Sequence, residues 1–292
     1  MTGQSNADND IYRGRFAPSP TGPLHMGSLV AALASYLDAR QAGGRWFLRI
    51  EDLDPPRESP SAPEEIKSQL MAHGLRWDSE LFQSTRLPAY DEALLRLASL
   101  QRLFCCTCSR RSLPAVYPGT CRGISETSRP HALRFQIPDH PVPVQDRLYG
   151  NLSWDMPSQV GDFIVRRKDG LIAYQLAVVV DDDFQQITDV VRGADLLDST
   201  PRQLALCEAL GFRRPRYLHI PVIVDGQGNK LSKQAHAPAI SNHQAVQNLQ
   251  QALAILGQPD QASQKTVDGI IEAAVRHWNP GRIPARNTLS LN

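Results

Sequence analysis

Apolar and polar positions near the start of the chain follow a strand, loop, helix and strand order. Residues 14–16 lead into a loop rich in Pro and Gly, and residues 27–42 carry an Ala- and Leu-rich helical pattern. Gly43 ends this helix, as Gly commonly does because it adopts a left-handed backbone without strain. The apolar run of residues 45–50 then has the character of a strand. This order predicts a βαβ unit, and hence an α/β fold with a parallel sheet.

The rest of the chain is less regular. The apolar pattern predicts helices at residues 62–73, 89–103 and 198–211 and strands at residues 170–180 and 217–224. Residues 104–162 have poor periodicity and many Cys, Pro and Arg residues, which indicates an inserted module. The last 50 residues have a mainly helical pattern. Asp181, Asp182 and Asp183 follow a predicted strand, and we interpret them as a charged turn rather than a magnesium site.

These patterns divide the chain into five parts. We expect a flexible tail at residues 1–10 and the first half of a nucleotide-binding fold at residues 11–103. The inserted module follows at residues 104–168 and the second half of the fold at residues 169–225. Residues 226–292 are expected to form a loop and a C-terminal helical region.

Composition narrows the class of protein. The chain is 41% hydrophobic and 21% charged, which suits a packed core rather than disorder. Its 31 basic and 30 acidic residues give a net charge of +1, so any nucleic-acid contact must come from local basic patches. The longest apolar stretch, residues 29–34, is far shorter than the roughly 20 residues of a membrane span. We expect a cytoplasmic monomer without a signal peptide, and reduced cysteines.

The loop between the first strand and helix has the chemistry of a phosphate site. Three prolines stiffen residues 18–23, and Gly27 lets a ligand approach the backbone. The helix N-terminus presents N–H groups and a positive dipole end to an anion. His25 can donate a hydrogen bond to a phosphoryl oxygen.

The string from Arg15 to Ser28 resembles the HIGH signature of class I aminoacyl-tRNA synthetases of the glutamyl/glutaminyl branch. Ser28 replaces the second histidine of that signature, so it can donate a hydrogen bond but carries no charge. The resemblance implies a Rossmann-type synthetase fold that binds ATP with Mg²⁺. It implies that His25 is catalytic and that Gly27 and Ser28 contact ATP.

A second string, from Lys230 to Gln234, follows a strand and a Gly-rich turn. It resembles the KMSKS signature that completes a class I synthetase site, with Gln234 in place of the final serine. The resemblance implies that Lys233 is catalytic and contacts the ATP phosphates, with Lys230 and Ser232 also in the ATP site. Cations placed there would stabilise charge on the transferred phosphoryl group and on leaving pyrophosphate.

An amino-acid site is expected at the carboxyl end of the second strand. Ligands of open parallel sheets bind beyond these strand ends, and Glu51 lies at one of them. Its carboxylate could bind an α-ammonium group, while an arginine fork could bind a side-chain carboxylate. Resemblance to glutamyl-tRNA synthetases implies a glutamate pocket made of several residues from three parts of the sequence. The set is Arg15, Phe16, Ala17, Pro18, Ser19, Glu51, Tyr174 and Arg192.

The inserted module has a pattern of zinc ligands. Three thiolates and one further ligand would complete a tetrahedral zinc site. Cys106, Cys108 and Cys121 offer the thiolates, although Cys105 could replace Cys106. The fourth ligand could be Tyr117, His131 or water. Resemblance to the glutamyl-queuosine type of synthetase favours Cys106 and Tyr117, and the zinc would be structural.

The expected acceptor depends on the length of the C-terminal region. About 60 residues follow Lys233, which is too few for an anticodon-binding domain of typical size. The chain therefore resembles the glutamyl-queuosine tRNA(Asp) synthetases. That resemblance implies activation of L-glutamate without tRNA and transfer to the queuosine base at the wobble position of tRNA(Asp). The anticodon loop would meet arginine-rich segments at residues 102–134 or 213–216.

Three alternatives remain open at this point. A truncated glutamyl-tRNA synthetase would charge the 3′ end of tRNA(Glu). A non-catalytic protein could bind glutamate or a nucleotide with the same fold. A nucleotidyltransferase could share the superfold, although the residues around Tyr174 and Arg192 argue against that reading.

Overall fold

The computed structural model describes residues 11–109, 111, 113–225, 227, 230 and 238–290. The expected tail, residues 1–10, lies outside them. The strands are β1 (Arg13–Phe16), β2 (Arg45–Ile50), β3 (Ser79–Phe82), β4 (Leu103–Cys106), β5 (Ala132–Phe135), β6 (Val142–Asp146), β7 (Gly150–Trp154), β8 (Phe163–Arg166), β9 (Asp189–Gly193), β10 (Arg216–Ile220), β11 (Val222–Val224) and β12 (Thr288–Ser290). The α-helices are α1 (Met26–Gln41), α2 (Ala62–Ala72), α3 (Leu87–Ser99), α4 (Tyr174–Phe184), α5 (Thr200–Leu210), α6 (Ala245–Ile255) and α7 (Val267–His277).

Parallel strands form the centre of the fold, as the sequence predicts. Strands β1, β2 and β3 pair in that order and all run parallel. Strand β9 pairs in parallel with β10, and β10 pairs in parallel with β6, which turns back into β7. Thr188 donates its backbone N–H to the carbonyl of Arg13 at 3.0 Å, so the two groups of strands meet between β1 and β9. The segment 104–168 therefore contributes β6 and β7 to the main sheet.

Helix α1 fills the space behind the first strands. Most of its side chains are buried, because it packs on the sheet from one side and on α6 and α7 from the other. Its C-terminal half carries Asp38, whose carboxylate is a meeting point for distant parts of the chain. Asp38 accepts hydrogen bonds from Tyr12 (2.5 Å), from both terminal nitrogens of Arg147 (2.5 and 2.9 Å) and from the indole of Trp278 (2.9 Å).

The strand predicted for residues 170–180 is wrong, because most of this run lies in helix α4. A short apolar run rich in valine fits a buried strand and a buried helix equally well. In the fold, α4 packs between α3 and α5, and this surrounding apolar contact favours the helix.

The charged turn predicted at residues 181–183 is also wrong, since all three aspartates belong to α4. Asp181 is fully buried and accepts hydrogen bonds from Gln83 (2.9 Å), Arg86 (3.0 Å) and Tyr90 (2.7 Å). Asp182 pairs with arginines that come from β1 and β2. A buried carboxylate requires such partners, and these come from residues far away in the sequence.

The cysteine-rich part of the chain has its own small sheet. Strands β4, β5 and β8 pair antiparallel in that order. Four buried side chains make up the apolar cluster beside it: Phe104, Cys106, Tyr117 and Cys121. The C-terminal region is mainly helical, but β12 adds a parallel partner to β11. None of the described helices combines the length and apolar character that crossing a membrane requires.

Candidate active site and cysteine cluster

The loop between β1 and α1 presents His25 at the start of the helix. His25 is the N-cap of α1, with an extended backbone, and its Nδ1 accepts the backbone N–H of Ser28 at 3.3 Å. In the neutral ring this leaves the proton on Nε2, which can donate to a ligand. Gly27 lets the His25 ring lie close to the helix backbone, because a Cβ on residue 27 would be only 3.2 Å from the ring. His25, Gly27 and Ser28 thus form one helix N-terminus, the arrangement expected for a phosphate site.

Described residues on either side of the KMSKS-like segment lie against this loop. Before the segment, Ile223 of β11 is close enough to Gly27 that a Cβ on the glycine would lie 3.7 Å from it. After the segment, Ala239 forms a β-bridge with His25, and Ile240 donates its N–H to the carbonyl of Leu24 at 2.9 Å. The residues before and after the segment therefore both lie at the N-terminus of α1.

Of the three residues predicted for the ATP site in this segment, one is described. Lys230 forms a β-bridge with Val224, and its Nζ lies 2.5 Å from the carboxylate of Asp195. This ion pair is half-exposed, so its contribution to stability is small. Ser232 and Lys233 lie outside the described residues.

A cavity of about 140 Å³ opens at the carboxyl ends of β1, β2 and β9. Six of the eight residues predicted for glutamate binding line it: Arg15, Phe16, Ala17, Glu51, Tyr174 and Arg192. Pro18 and Ser19 are not among its lining residues. The carbonyl of Pro18 instead accepts the backbone N–H of Glu51 at 3.0 Å, which ties the phosphate loop to the end of β2.

The floor of this cavity is a network of buried charges. Asp182 of α4 accepts hydrogen bonds from Arg15 Nε at 3.2 Å and from Arg49 Nη1 at 2.7 Å. Arg49 also lies 3.5 Å from the Glu51 carboxylate and is completely buried. Sequence reasoning missed Arg49 and Asp182. The alternation of residues along β2 was a usable signal, because it places Arg49 and Glu51 on the same face of the strand.

This network changes the acidity of Glu51. Burial raises the pKa of its carboxyl to about 7, although Arg49 and Arg15 oppose the shift. Near neutral pH the carboxyl is therefore poised between its protonated and ionised forms. A ligand ammonium group in the cavity would favour the ionised form.

Arg192 of β9 is the second cation at the cavity, and its guanidinium is fixed from behind. It donates to His219 Nε2 at 3.0 Å, to Gln203 Oε1 at 2.8 Å and to Thr200 Oγ1 at 2.8 Å. Sequence reasoning found Arg192 but missed these three partners, which come from α5 and β10.

The structure brings together three cysteines of the inserted segment and one tyrosine. The sulfurs of Cys106, Cys108 and Cys121 all lie within 4.8 Å of one another, and those of Cys108 and Cys121 are 3.5 Å apart. The Tyr117 hydroxyl lies 3.7 Å from the Cys106 sulfur. A tetrahedral zinc ion with bonds of about 2.3 Å needs sulfurs about 3.8 Å apart, so this donor set fits zinc. The hydrogen bond from Tyr117 lowers the pKa of Cys121 to about 7, towards the thiolate that zinc binds.

The two other candidate ligands point elsewhere. The Cys105 sulfur donates to the carbonyl of Ser125 at 3.3 Å. The His131 ring nitrogen Nδ1 lies 2.9 Å from the carbonyl of Arg129, on the surface. Among the residues that the structure describes, the cysteine cluster is the sole group of three or more His, Cys, Asp or Glu side chains placed to hold a metal ion.

The arginine-rich segments are partly neutralised. Arg214 pairs with Glu208 at 2.7 Å and Arg216 with Asp189 at 2.8 Å. In the inserted segment, Arg122 forms a two-pronged pair with Asp162, both bonds being 2.7 Å. Fewer cations face solvent than a count of arginines along the sequence suggests.

The fold and the loop match a defined class of enzyme. The family described as tRNA synthetases class I (E and Q), catalytic domain, matches residues 12–117 and 116–257. A glutamate-tRNA synthetase from Elizabethkingia anophelis has the same fold, with a TM-score of 0.81 and 24% sequence identity. The alignment covers 97% of this chain and 68% of that one. A glutamate tRNA ligase from Elizabethkingia meningosepticum aligns with a TM-score of 0.80.

Curated relatives narrow the class further. A protein from Pseudomonas fluorescens named Glutamyl-Q tRNA(Asp) synthetase is 49% identical over 286 residues, which cover 96% of this chain and 95% of the relative. A protein of the same name from Ectopseudomonas mendocina is 48% identical and covers 97% of this chain and 98% of the relative. The chain therefore belongs to the class I tRNA synthetases of the E and Q type, within the family of the Glutamyl-Q tRNA(Asp) synthetases.

Proposed function

We propose that this protein activates L-glutamate with ATP in the absence of tRNA, and then transfers glutamate to the queuosine base at the wobble position of tRNA(Asp). The observation that carries the proposal is the cavity next to the phosphate loop. It combines two arginines with the carboxyl of Glu51, and the chain links it directly to the helix N-terminus at His25. This charge pattern matches the side-chain carboxylate and the ammonium group of glutamate.

In the first step the cavity holds glutamate for reaction. Arg15 and Arg192 bind the side-chain carboxylate, and ionised Glu51 binds the α-ammonium group. An α-carboxylate oxygen attacks the α-phosphorus of ATP, and the bond to pyrophosphate breaks. No general base is needed, because the attacking carboxylate is already ionised at neutral pH.

The phosphate loop and the KMSKS-like segment stabilise the charge that develops. His25 Nε2 and the first N–H groups of α1 face the phosphates, and Gly27 permits their close approach. Lys233 contacts the β- and γ-phosphates and Mg²⁺ accompanies ATP, while Lys230 and Ser232 complete the site. The described residues on either side of the segment, Ile223 and Ala239, lie at Gly27 and His25, which supports assigning Lys233 to the same phosphates.

In the second step a hydroxyl of the queuosine cyclopentene ring attacks the carbonyl carbon of glutamyl-adenylate. The carbon–oxygen bond to the phosphate breaks, AMP leaves, the hydroxyl proton passes to the leaving phosphate or to water, and an ester joins glutamate to the base. The arginine-rich segments contact the phosphates of the anticodon loop, where an unstacked base can enter a concave site.

The cysteine cluster holds one structural zinc ion, with Cys106, Cys108, Cys121 and Tyr117 as ligands. The support is the donor set and its spacing. A zinc ion bound here would stabilise the small apolar cluster of Phe104, Cys106, Tyr117 and Cys121.

The deciding experiment offers radiolabelled glutamate and ATP with tRNA(Asp) that carries or lacks queuosine, and with tRNA(Glu). We expect glutamate to be incorporated only into queuosine-containing tRNA(Asp), and glutamate-dependent pyrophosphate exchange without any tRNA. Charging of tRNA(Glu) would favour a truncated glutamyl-tRNA synthetase. Absence of exchange, with binding of glutamate or nucleotide retained, would favour a non-catalytic binding protein.

A further inference from the structure

Arg192 directs most of its N–H donors to acceptors within the protein. Its five N–H groups include one directed to His219, one to Gln203, one to Thr200 and one to the Leu196 carbonyl at 3.3 Å. A single N–H on Nη1 remains for a ligand. The direction of this last donor depends on how the other four are held, and the side chains of His219, Gln203 and Thr200 do not line the cavity.

The contact with His219 works in only one protonation state. An arginine N–H always donates, so Nε2 of His219 must accept with its lone pair. The ring proton then lies on Nδ1, which donates to Asp146 Oδ2 at 2.7 Å. The ring is completely buried.

Asp146 fixes this tautomer. Its Oδ2 also accepts the backbone N–H of His219 at 3.0 Å, and its Oδ1 accepts those of Leu148 and Tyr149, both at 2.9 Å. Burial alone would raise the pKa of Asp146, but the hydrogen bonds from His219 and the backbone hold it below its usual value. An ionised carboxylate can only accept, so His219 Nδ1 must donate.

The ring also stays neutral. Burial lowers the pKa of His219, and the positive charge of Arg192 lowers it further, whereas Asp146 opposes both. A protonated ring would turn Nε2 into a donor facing the Arg192 Nε–H, and the two would repel. Neutrality and tautomer together make His219 an acceptor for the arginine.

We infer that His219 is a positioning residue for glutamate: through Nε2 it orients Arg192 at the cavity, and Asp146 holds it in the required tautomer. This inference rests on the proposed function, since it takes Arg192 as the partner of the glutamate side chain. The chain of hydrogen bonds runs from Asp146 on β6 through His219 on β10 to Arg192 on β9. These are three adjacent parallel strands. The sheet topology therefore sets the spacing of the chain of hydrogen bonds.

Two substitutions of His219 separate its two nitrogens. In His219→Gln the amide reaches the position of Nε2, so its oxygen can still accept from Arg192. In His219→Asn the amide reaches only the position of Nδ1, so the contact with Asp146 survives and the acceptor for Arg192 is lost. In pyrophosphate exchange we expect His219→Asn to raise the KM for glutamate roughly 10- to 100-fold and His219→Gln to raise it less than about threefold. The KM for ATP and kcat should stay within about twofold in both.

His73 provides the matched control, as a second fully buried histidine with both nitrogens bonded. Its Nδ1 lies 2.7 Å from the Gln69 carbonyl and its Nε2 lies 3.0 Å from Asn248, and it does not line the cavity. We expect His73→Asn to lower the unfolding temperature about as much as His219→Asn while leaving the KM for glutamate unchanged. A purely structural role for His219 would make the two variants alike in both measurements.

Two further measurements test the inference if His219→Asn does not fold: the KM of Asp146→Asn and NMR of the wild-type ring. An amide can donate to Nδ1, so the ring can adopt the opposite tautomer, and we expect the KM for glutamate to rise roughly tenfold. Nitrogen-15 shifts of the wild-type ring should show a proton on Nδ1 and none on Nε2. Equal KM values for the His219→Asn and His219→Gln variants, or a wild-type proton on Nε2, would overturn the inference. Wild-type protein without glutamate-dependent exchange would instead reject the proposed function before any variant is compared.

Discussion

The cavity at the carboxyl ends of β1, β2 and β9 and the cysteine cluster hold their polar side chains in different ways. In the cavity, buried charges neutralise one another: Arg15 and Arg49 share Asp182, and Arg49 also faces Glu51. These residues lie at strand ends and on a helix, between two large apolar clusters. In the cysteine cluster, three sulfurs and a hydroxyl face one another beside an apolar cluster of four side chains that includes two of the cysteines.

The difference shows which region keeps its shape without a ligand. Removing one partner of a buried ion pair leaves an uncompensated charge, so the cavity's charges stabilise one another as long as all are present. The apolar cluster at the cysteines has four buried side chains, so a metal ion bound there would add to the folding free energy of this region. The cavity is thus preorganised by the sheet, and the cluster depends on what it binds.

The largest effect on glutamate-dependent exchange is expected from a residue outside both regions. We predict that Lys233→Ala lowers the rate of adenylate formation about 10²-fold or more, because one transition-state donor is lost. Calorimetry should show unchanged binding of glutamate alone, since the cavity is intact. Lys265→Ala, an exposed lysine of the C-terminal region, is the control. Unchanged exchange in Lys233→Ala would remove Lys233 from the site.

The second-largest effect is expected from removing a charge inside the cavity. We predict that Glu51→Gln raises the KM for glutamate roughly 10- to 100-fold, since a charged hydrogen bond to the ammonium group is lost. Glu64→Gln changes an exposed glutamate that pairs with Lys67 on α2, and it should leave the KM unchanged. Equal effects of the two variants would contradict the assignment of Glu51 to the ammonium group.

The same carboxyl should make binding sensitive to pH. The pKa of Glu51 is raised to about 7, so its ionised fraction falls as pH falls below 7. In the proposed function it is this ionised form that binds the ammonium group of glutamate. We predict that the KM for glutamate rises up to about tenfold for each pH unit below 7 and levels off above pH 8. Arg49 and Arg15 lower the pKa of Glu51, whereas Asp182 and Asp181 raise it. In Glu51→Gln the KM should lose this dependence, and a slope that persists there would assign it to another group.

The smallest effect on exchange is expected from the cysteine cluster. We predict one zinc ion per chain in the wild type and less than one in Cys121→Ser, measured by elemental analysis. Exchange should stay within about threefold, because the cavity is held by its own charges rather than by the cluster. Cys105→Ser is the matched control, since the Cys105 sulfur faces the Ser125 carbonyl and should not affect the metal content. A loss of exchange in Cys121→Ser as large as that in Glu51→Gln would break the comparison between the two regions.

The βαβ unit and the place of Glu51 follow from local sequence, whereas the other predicted residues of the cavity came only from resemblance to glutamyl-tRNA synthetases. Helix α1, strand β2 and the position of Glu51 at a strand end all result from periodicity and from the Pro- and Gly-rich loop. Helix α4 could not be predicted in the same way, because its valine run suits a strand as well and only packing against α3 and α5 decides.

The partners of buried charges were beyond sequence reasoning for a related reason. Asp182 meets Arg15 and Arg49 across more than 130 positions of the chain, and His219 meets Asp146 across 73. No local pattern signals such pairs. The adjacency of parallel strands creates them, and strand order is a property of the whole fold.

The contacts of Asp38 have a consequence for the boundaries of the nucleotide-binding half. One carboxylate on α1 joins the start of β1, the turn after β6 and the indole that follows α7. The C-terminal region is therefore bonded to the same helix whose first turn carries Gly27 and Ser28. Loss of Trp278 would remove one of the hydrogen-bond donors of the buried Asp38 carboxylate, so residues after α7 stabilise the helix that begins next to His25.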